Sequence, residues 1–300
     1  MISIKELTKT FDGVTALDRL DMTVPTASVY GLVGTNGAGK TTIIKHLAGV
    51  LRQDSGAIDF DGQPVWENEA LKQRIAIIPD ELYFPMTYSL RNMRELYRGM
   101  YPAWNDERFH EMTATFKLDE ARRIRTFSKG MKKQAAFCLV MSAMPDYLLL
   151  DEPIDGLDPI VRKQVWKYIV DDVAAREMSV LVSSHNLKEM EGICDRIGII
   201  QSGKMRLERE MESLRGDLHK VQVSFGKNPP AADPYQALNV LHKESRGTVD
   251  LLLIGDPADK IREVIGQSNP VIFDMLPLTL EEVFIHELGG DDDAINELLF

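Results

Sequence analysis

Two short stretches of this chain have the residue types and spacing for phosphoryl chemistry. The first, Gly34-Thr35-Asn36-Gly37-Ala38-Gly39-Lys40-Thr41, follows the P-loop spacing GxxxxGK[ST]. Its glycines let the main chain turn tightly and wrap successive N–H groups around an anion. The helix expected to follow presents its positive end to the same point. In such a loop Lys40 reaches the β- and γ-phosphates of a nucleotide and Thr41 offers its hydroxyl to Mg²⁺. Gly34, Asn36, Gly37, Ala38, Gly39 and Thr42 are the expected cradle. The second stretch is Tyr147-Leu148-Leu149-Leu150-Asp151-Glu152-Pro153. A buried apolar strand that ends in two carboxylates is costly unless something positive waits there. Asp151 is expected to hold Mg²⁺, directly or through water. Glu152 is expected to act as general base or to position the attacking water.

The elements around these stretches are arranged to present them. Apolar runs at Ser28–Val33, Ile75–Ile78, Tyr147–Leu150, Ser179–Val182 and Ile197–Ile200 are too continuous for half-exposed strands. They fit a mostly parallel sheet covered on both faces, and Thr41–Ala48 reads as the helix after the glycine loop. Short strands at Ile2–Ile4 and Leu20–Val24 open the chain. From roughly residue 86 to 145 the pattern turns helical and reads as an insertion into an α/β core. After about Gly216 the composition changes. Strands at Val221–Phe225 and Val249–Ile254 and helices at Asp259–Gly266 and Leu280–Leu288 suggest a small α+β appendage. The expected organisation is therefore a P-loop NTPase domain over residues 1–216 and an accessory domain over 217–300.

Three further segments narrow the P-loop reading, because they occur in the order of the ABC (ATP-binding cassette) family. Phe127-Ser128-Lys129-Gly130-Met131 resembles the signature usually written LSGGQ; Asp155-Gly156-Leu157-Asp158 resembles the D-loop; Ser183-Ser184-His185 resembles the switch-histidine motif. The resemblance spans about residues 1–215 and implies a RecA-like core with Mg²⁺ and ATP as its ligands. It implies two cassettes facing head to tail, each ATP held between the P-loop of one and Ser128 and Gly130 of the other. It implies that Phe11 stacks on adenine and that His185 senses the γ-phosphate and helps hold the water. Two positions depart from the pattern. Lys129 stands where the signature has glycine, and Asp80 stands at the Gln position after the strand Ile75–Ile78, where a carboxylate can still bind Mg²⁺ or water.

Composition sets the outer limits. The 300 residues carry a net charge of -11, which disfavours general binding to nucleic-acid backbones. The two cysteines, Cys138 and Cys194, lie in apolar surroundings and form no metal-ligand cluster. No run approaches the ~18 apolar residues needed to cross a bilayer. The resemblance then implies a separate integral membrane permease subunit, with this chain at the cytoplasmic face of the membrane as a homodimer or paired with a second ABC ATPase. The C-terminal segment Leu278–Phe284 resembles the tail of cassettes that serve separate-chain exporters, and apolar Leu82, Tyr83, Phe84 and Met86 fit a permease groove. The basic residues Arg122, Arg123, Arg125, Lys129, Lys132 and Lys133 read as a solvated helical face. A nucleotide-gated scaffold with little hydrolysis is one rival reading, against which Glu152 and His185 argue; ribosome-associated and DNA-repair ATPases of the same family are the others. They carry two cassettes in one chain or a long coiled-coil insertion, and neither is present.

Overall fold

The computed structural model describes residues 1–212, 218–226, 230, 233–276 and 278–279. It divides into two compact units, Met1–Glu208 and Arg209–Phe300.

The first unit contains two sheets. In chain order its strands are β1 (Ile2–Phe11), β2 (Val14–Val24), β3 (Val29–Val33), β4 (Ser55–Phe60), β5 (Gln63–Pro64), β6 (Ile75–Ile78), β7 (Tyr147–Asp151), β8 (Ser179–Ser184), β9 (Arg196–Gln201) and β10 (Lys204–Glu210). Its helices are α1 (Lys40–Leu47), α2 (Glu69–Lys72), α3 (Leu90–Met100), α4 (Asp106–Thr115), α5 (Lys129–Ser142), α6 (Pro159–Arg176) and α7 (Leu187–Met190). The six-stranded sheet runs β10-β9-β3-β8-β7-β6. The pairs β3/β8, β3/β9, β7/β8 and β6/β7 are parallel. Every residue of β3, β7 and β8 is buried, which is why these strands read as unbroken apolar runs.

The second sheet, β2-β1-β4-β5, is antiparallel. It is larger than the two short strands the sequence suggests, since β1 and β2 are 10 and 11 residues long. Their outer halves carry Lys, Thr and Asp, so the apolar signal fades well before the strands end. Three hairpins turn on a residue pair with positive φ at both positions, Asp12-Gly13, Asp61-Gly62 and Ser202-Gly203. That is the backbone a tight two-residue β-turn needs, and glycine adopts it at little cost. Ile2, Ile4, Leu17, Leu20 and Phe60 from this sheet pack with Leu32, Ile43, Leu47, Tyr147 and Leu149 in one core.

Between β6 and β7 the chain is helical, as its composition suggests. Ser89 and Asn92 form a reciprocal capping box on α3, and Asn105 caps α4. Ser128 caps α5 and Asp158 caps α6, whose first position is Pro159. Each such cap is worth about 1 kcal/mol. Cys138 on α5 and Cys194 before β9 are both buried, and burial pushes both thiols far above their ordinary range.

The second unit has a four-stranded antiparallel sheet in the order β12-β13-β11-β14. These strands are β11 (His219–Ser224), β12 (Val240–Arg246), β13 (Val249–Ile254) and β14 (Ile272–Leu276). Ile261 and Ile265 of the helix Ala258–Gly266 pack with Val221, Val223, Leu252 and Ile254. The expected helix Leu280–Leu288 and most of the Leu278–Phe284 segment lie outside the described residues. Among the described residues, no helix is long and apolar enough to cross a membrane.

Candidate nucleotide site

The parallel sheet delivers the two chemical stretches to the same edge. β3 runs into the glycine loop and β7 ends at Asp151, while β8 lies between them and brings Ser183 and Ser184 alongside. This is the carboxyl end of parallel strands, where open α/β sheets bind their ligands. The loop cannot spread, because its first residue sits against β9. A Cβ on Gly34 would meet the Ile200 carbonyl oxygen at 2.4 Å. Gly34 N–H donates to Ser184 O at 3.3 Å, and Ala38 N–H to Thr35 O at 3.1 Å. Asn36 and Gly37 are exposed at the tip, and Gly37 and Gly39 have φ of +82° and +115°. Gly39 is the N-cap of α1 and provides no side chain, so the first N–H groups of the helix face the loop without a side-chain cap.

Lys40 is 6 % exposed and lies folded along this loop. Its Nζ donates to Gly34 O at 2.6 Å and Thr35 O at 3.2 Å and stands 3.4 Å from Glu152 Oε1. Thr41 Oγ1 donates to Asp151 Oδ2 at 2.7 Å. Thr42 belongs to the first turn of α1, and its carbonyl oxygen pairs with His46 Nδ1 at 2.7 Å. Asp151 is 2 % exposed, and an isolated carboxylate at that depth costs several kcal/mol. Here both of its oxygens are used, Oδ1 accepting the Ser183 hydroxyl at 2.6 Å. A hydroxyl and a buried carboxylate in contact are a donor set suited to a hard divalent cation such as Mg²⁺.

Glu152 is the most constrained residue of the site. It follows β7 with φ of +45°, a region unusual for a residue with a side chain. Side chains from three separate segments hold it there. Its N–H donates to Ser183 Oγ at 3.1 Å, and its carbonyl accepts from Lys133 Nζ at 2.7 Å. Its carboxylate pairs with Lys40 through Oε1 and with His185 Nδ1 through Oε2, the latter at 2.9 Å. The Nδ1 contact with an acceptor places the ring proton on Nδ1 and leaves Nε2 for a ligand. His185 keeps 48 % of its side chain exposed, against 12 % for Glu152. Among the described residues, Glu152, Asp155 and His185 also bring one ligand atom each within 4.8 Å of one another.

The other expected residues lie outside this cluster. Phe11 ends β1 and is 40 % exposed, with the Lys9 ammonium 5.3 Å from its ring centre. Asp80 is exposed just past β6. Ser128 Oγ accepts from Met131 N–H at 3.2 Å, which leaves its own hydroxyl proton to donate elsewhere. Gly130 packs close to the backbone of the D-loop, where an added Cβ would stand 3.2 Å from Gly156 O. Tyr83 and Met86 are 84 % and 72 % exposed, while Leu82 and Phe84 are half-buried.

Two participants escape sequence reasoning. Ser183 stands inside a motif noted for its histidine, yet its hydroxyl joins Asp151 to Glu152. Lys133 is corrected outright. Arg122, Arg123, Arg125 and Lys129 are exposed as expected, but Lys133 is 1 % exposed. Burial pulls its ammonium below the usual lysine range, while the charges of Asp155 and Asp80 oppose that shift. The signal for Ser183 is a hydroxyl in a wholly buried strand, which must find a partner.

Comparison with known proteins identifies the family. Residues 17–155 match the family model described as ABC transporter. The chain is 31% identical to the ABC transporter ATP-binding protein YtrB of Bacillus subtilis, over 97% of this chain and 99% of that protein. It is 30% identical to the daunorubicin/doxorubicin resistance ATP-binding protein DrrA of Streptomyces peucetius, over 99% and 95% of the two chains. A dimeric structure of MJ0796, a bacterial ABC transporter cassette, superposes with a TM-score of 0.64 at 17% identity, over 70% of this chain and 99% of that one.

Proposed function

Because this chain belongs to the ABC transporter ATP-binding family, we propose that it is the ATPase of an exporter whose membrane-spanning subunit is a separate chain at whose cytoplasmic face it docks. Binding and hydrolysis of ATP, and association with a membrane permease, follow from the family. Outward transport is supported by the full-length likeness to a drug-resistance ATP-binding protein. The observation that carries the proposal is the convergence on one sheet edge of Lys40, the Thr41–Asp151 pair and the Glu152–His185 pair.

The roles follow from the contacts. Gly34 and Ala38, whose N–H groups close the loop on itself and on β8, shape a phosphate cradle lined by the main-chain N–H groups of Asn36, Gly37, Gly39 and Lys40 to Thr42, and Lys40 leaves its carbonyl partners for the outer phosphate oxygens. Phe11 stacks on the adenine ring. Thr41 and Asp151 and, through water, Asp80 would hold Mg²⁺, which would supply positive charge to the phosphate oxygens. Glu152 takes the proton of the attacking water as it adds to the γ-phosphorus. His185 fixes the Glu152 carboxylate through Nδ1 and meets the water or the phosphate with Nε2. The displaced products are ADP and inorganic phosphate.

One chain holds one P-loop and one signature segment. Ser128, with a hydroxyl proton to give, and Gly130, in the first turn of a helix with no side-chain acid there, form a complementary γ-phosphate surface. Two cassettes facing each other therefore complete two sites, and hydrolysis removes the contacts that hold them closed. The exposed side chains of Tyr83 and Met86 would receive the permease. The test is Glu152→Gln. It should slow hydrolysis at least tenfold and accumulate an ATP-bound dimer by size-exclusion chromatography. Ordinary turnover would remove Glu152 from the mechanism.

A further inference from the structure

Lys133 has no place in the mechanism above, yet it is one of the largest fully buried side chains of the protein. Lysine is almost never buried this far without a charged partner in contact. Its hydrogen bond goes instead to a peptide carbonyl, that of Glu152, at 2.7 Å. The negative charges that act on the ammonium are those of Asp155, Asp80 and Glu152 itself. A methionine could fill the same volume, so the ammonium is there for its charge and its N–H donors. The carbonyl it holds belongs to a residue at φ of +45°, a conformation that persists only where its surroundings over-determine it. Lys133 lies in α5 four residues after its first residue, so the same short helix end carries Ser128 and Gly130.

We propose that Lys133 is a positioning residue for hydrolysis: it anchors the Glu152 peptide, keeps the Glu152 carboxylate between Lys40 and His185, and ties the signature segment to the water-activating group of the same chain. The inference rests on the reading of Glu152 as that group. It also gives Asp80 a second task. The charge of the residue at the Gln position of the family pattern opposes the effect of burial on the Lys133 ammonium. Movement of the α5 end then moves Glu152 with it, which is a direct route from signature contact to catalytic alignment.

The test compares Lys133→Met, which keeps volume without a donor, with Lys133→Gln, which keeps a donor without charge. Each is made in the full chain and in the Glu152→Gln background, with its permease where turnover requires it. Turnover, KM for Mg-ATP, fluorescent-ATP affinity and melting temperature are measured. Lys133→Met should lower kcat at least tenfold while KM and ATP affinity stay within threefold. Lys133→Gln should recover part of that loss, and neither should slow Glu152→Gln much further. Wild-type kcat in a folded Lys133→Met protein would overturn the inference, as would losses that multiply with Glu152→Gln. Should Lys133→Met fail to fold, Lys133→Gln decides: reduced kcat at unchanged KM supports the role and wild-type kcat rejects it. Normal turnover by Glu152→Gln alone would instead reject the underlying reading of Glu152.

Discussion

Replacing Ser183 by alanine removes one oxygen and two hydrogen bonds. The first is the donation to Asp151 Oδ1 at 2.6 Å, a bond to a charged group worth about 1.5–3 kcal/mol. The second is the acceptance from Glu152 N–H at 3.1 Å; its loss leaves a main-chain donor unpaired at a further cost of about 1–3 kcal/mol. Ser183 is fully buried, so entering water has little room to compensate. Asp151 keeps its bond from Thr41, which limits the damage. A net loss of about 3 kcal/mol follows, and in a domain of about 200 residues it lowers the melting temperature by roughly 6–12 °C. The chemistry should suffer separately, because Asp151 and Glu152 are both set by this hydroxyl. We expect kcat to fall at least tenfold at saturating Mg-ATP, with a smaller change in ATP affinity. Differential scanning calorimetry and steady-state phosphate release measure the two effects. A shift below 2 °C together with unchanged kcat would show that the Ser183 hydroxyl links nothing of consequence, and the account of the β7–β8 edge would fail with it.

Phe11→Ala should weaken ATP binding roughly five- to tenfold, the effect of about 1–1.4 kcal/mol of ring stacking, and leave the melting temperature nearly unchanged because the ring is exposed. Titration with a fluorescent nucleotide reads this, and unaltered affinity would place adenine elsewhere. His46 is fully buried and burial lowers its pKa from 6.5. Above that value neither state holds the extra proton; below it the unfolded chain takes up a proton that folded His46 refuses, so stability falls with pH until the folded histidine titrates as well. Melting temperatures at pH 7.5 and 5.5 should therefore differ less in His46→Gln than in the parent, and an unchanged difference would refute the assignment.

Lys40, Thr41, Asp151, Glu152 and His185 were legible in the sequence because each belongs to a contiguous motif whose order along the chain survives in the fold. The six-stranded sheet was legible for a related reason, since full burial leaves unbroken apolar runs. What escaped depends on register. Asp151 and Ser183 are neighbours only because β7 and β8 pair in parallel with these two residues side by side, and no local spacing encodes that. Lys133 escaped because its immediate neighbours, Lys132 and Gln134, are polar and the stretch reads as solvent-facing; the Glu152 carbonyl that draws it inside lies 19 positions away. The antiparallel sheet was legible only in part. The outer half of β1 is held by polar contacts such as Lys9 Nζ to Asp54 Oδ1 at 2.8 Å, which leave no apolar trace.

The two buried thiols make the protein convenient for a different kind of observation. Thiolate is the reactive form of cysteine, and both Cys138 and Cys194 are enclosed with their proton held tightly. A maleimide dye should therefore leave the unaltered folded chain unlabelled. A single cysteine introduced at Ile160, which is 72 % exposed on the first turn of α6, would then take the dye alone. Energy transfer between two such copies would follow their approach and separation through each turnover in real time, with no native cysteine removed.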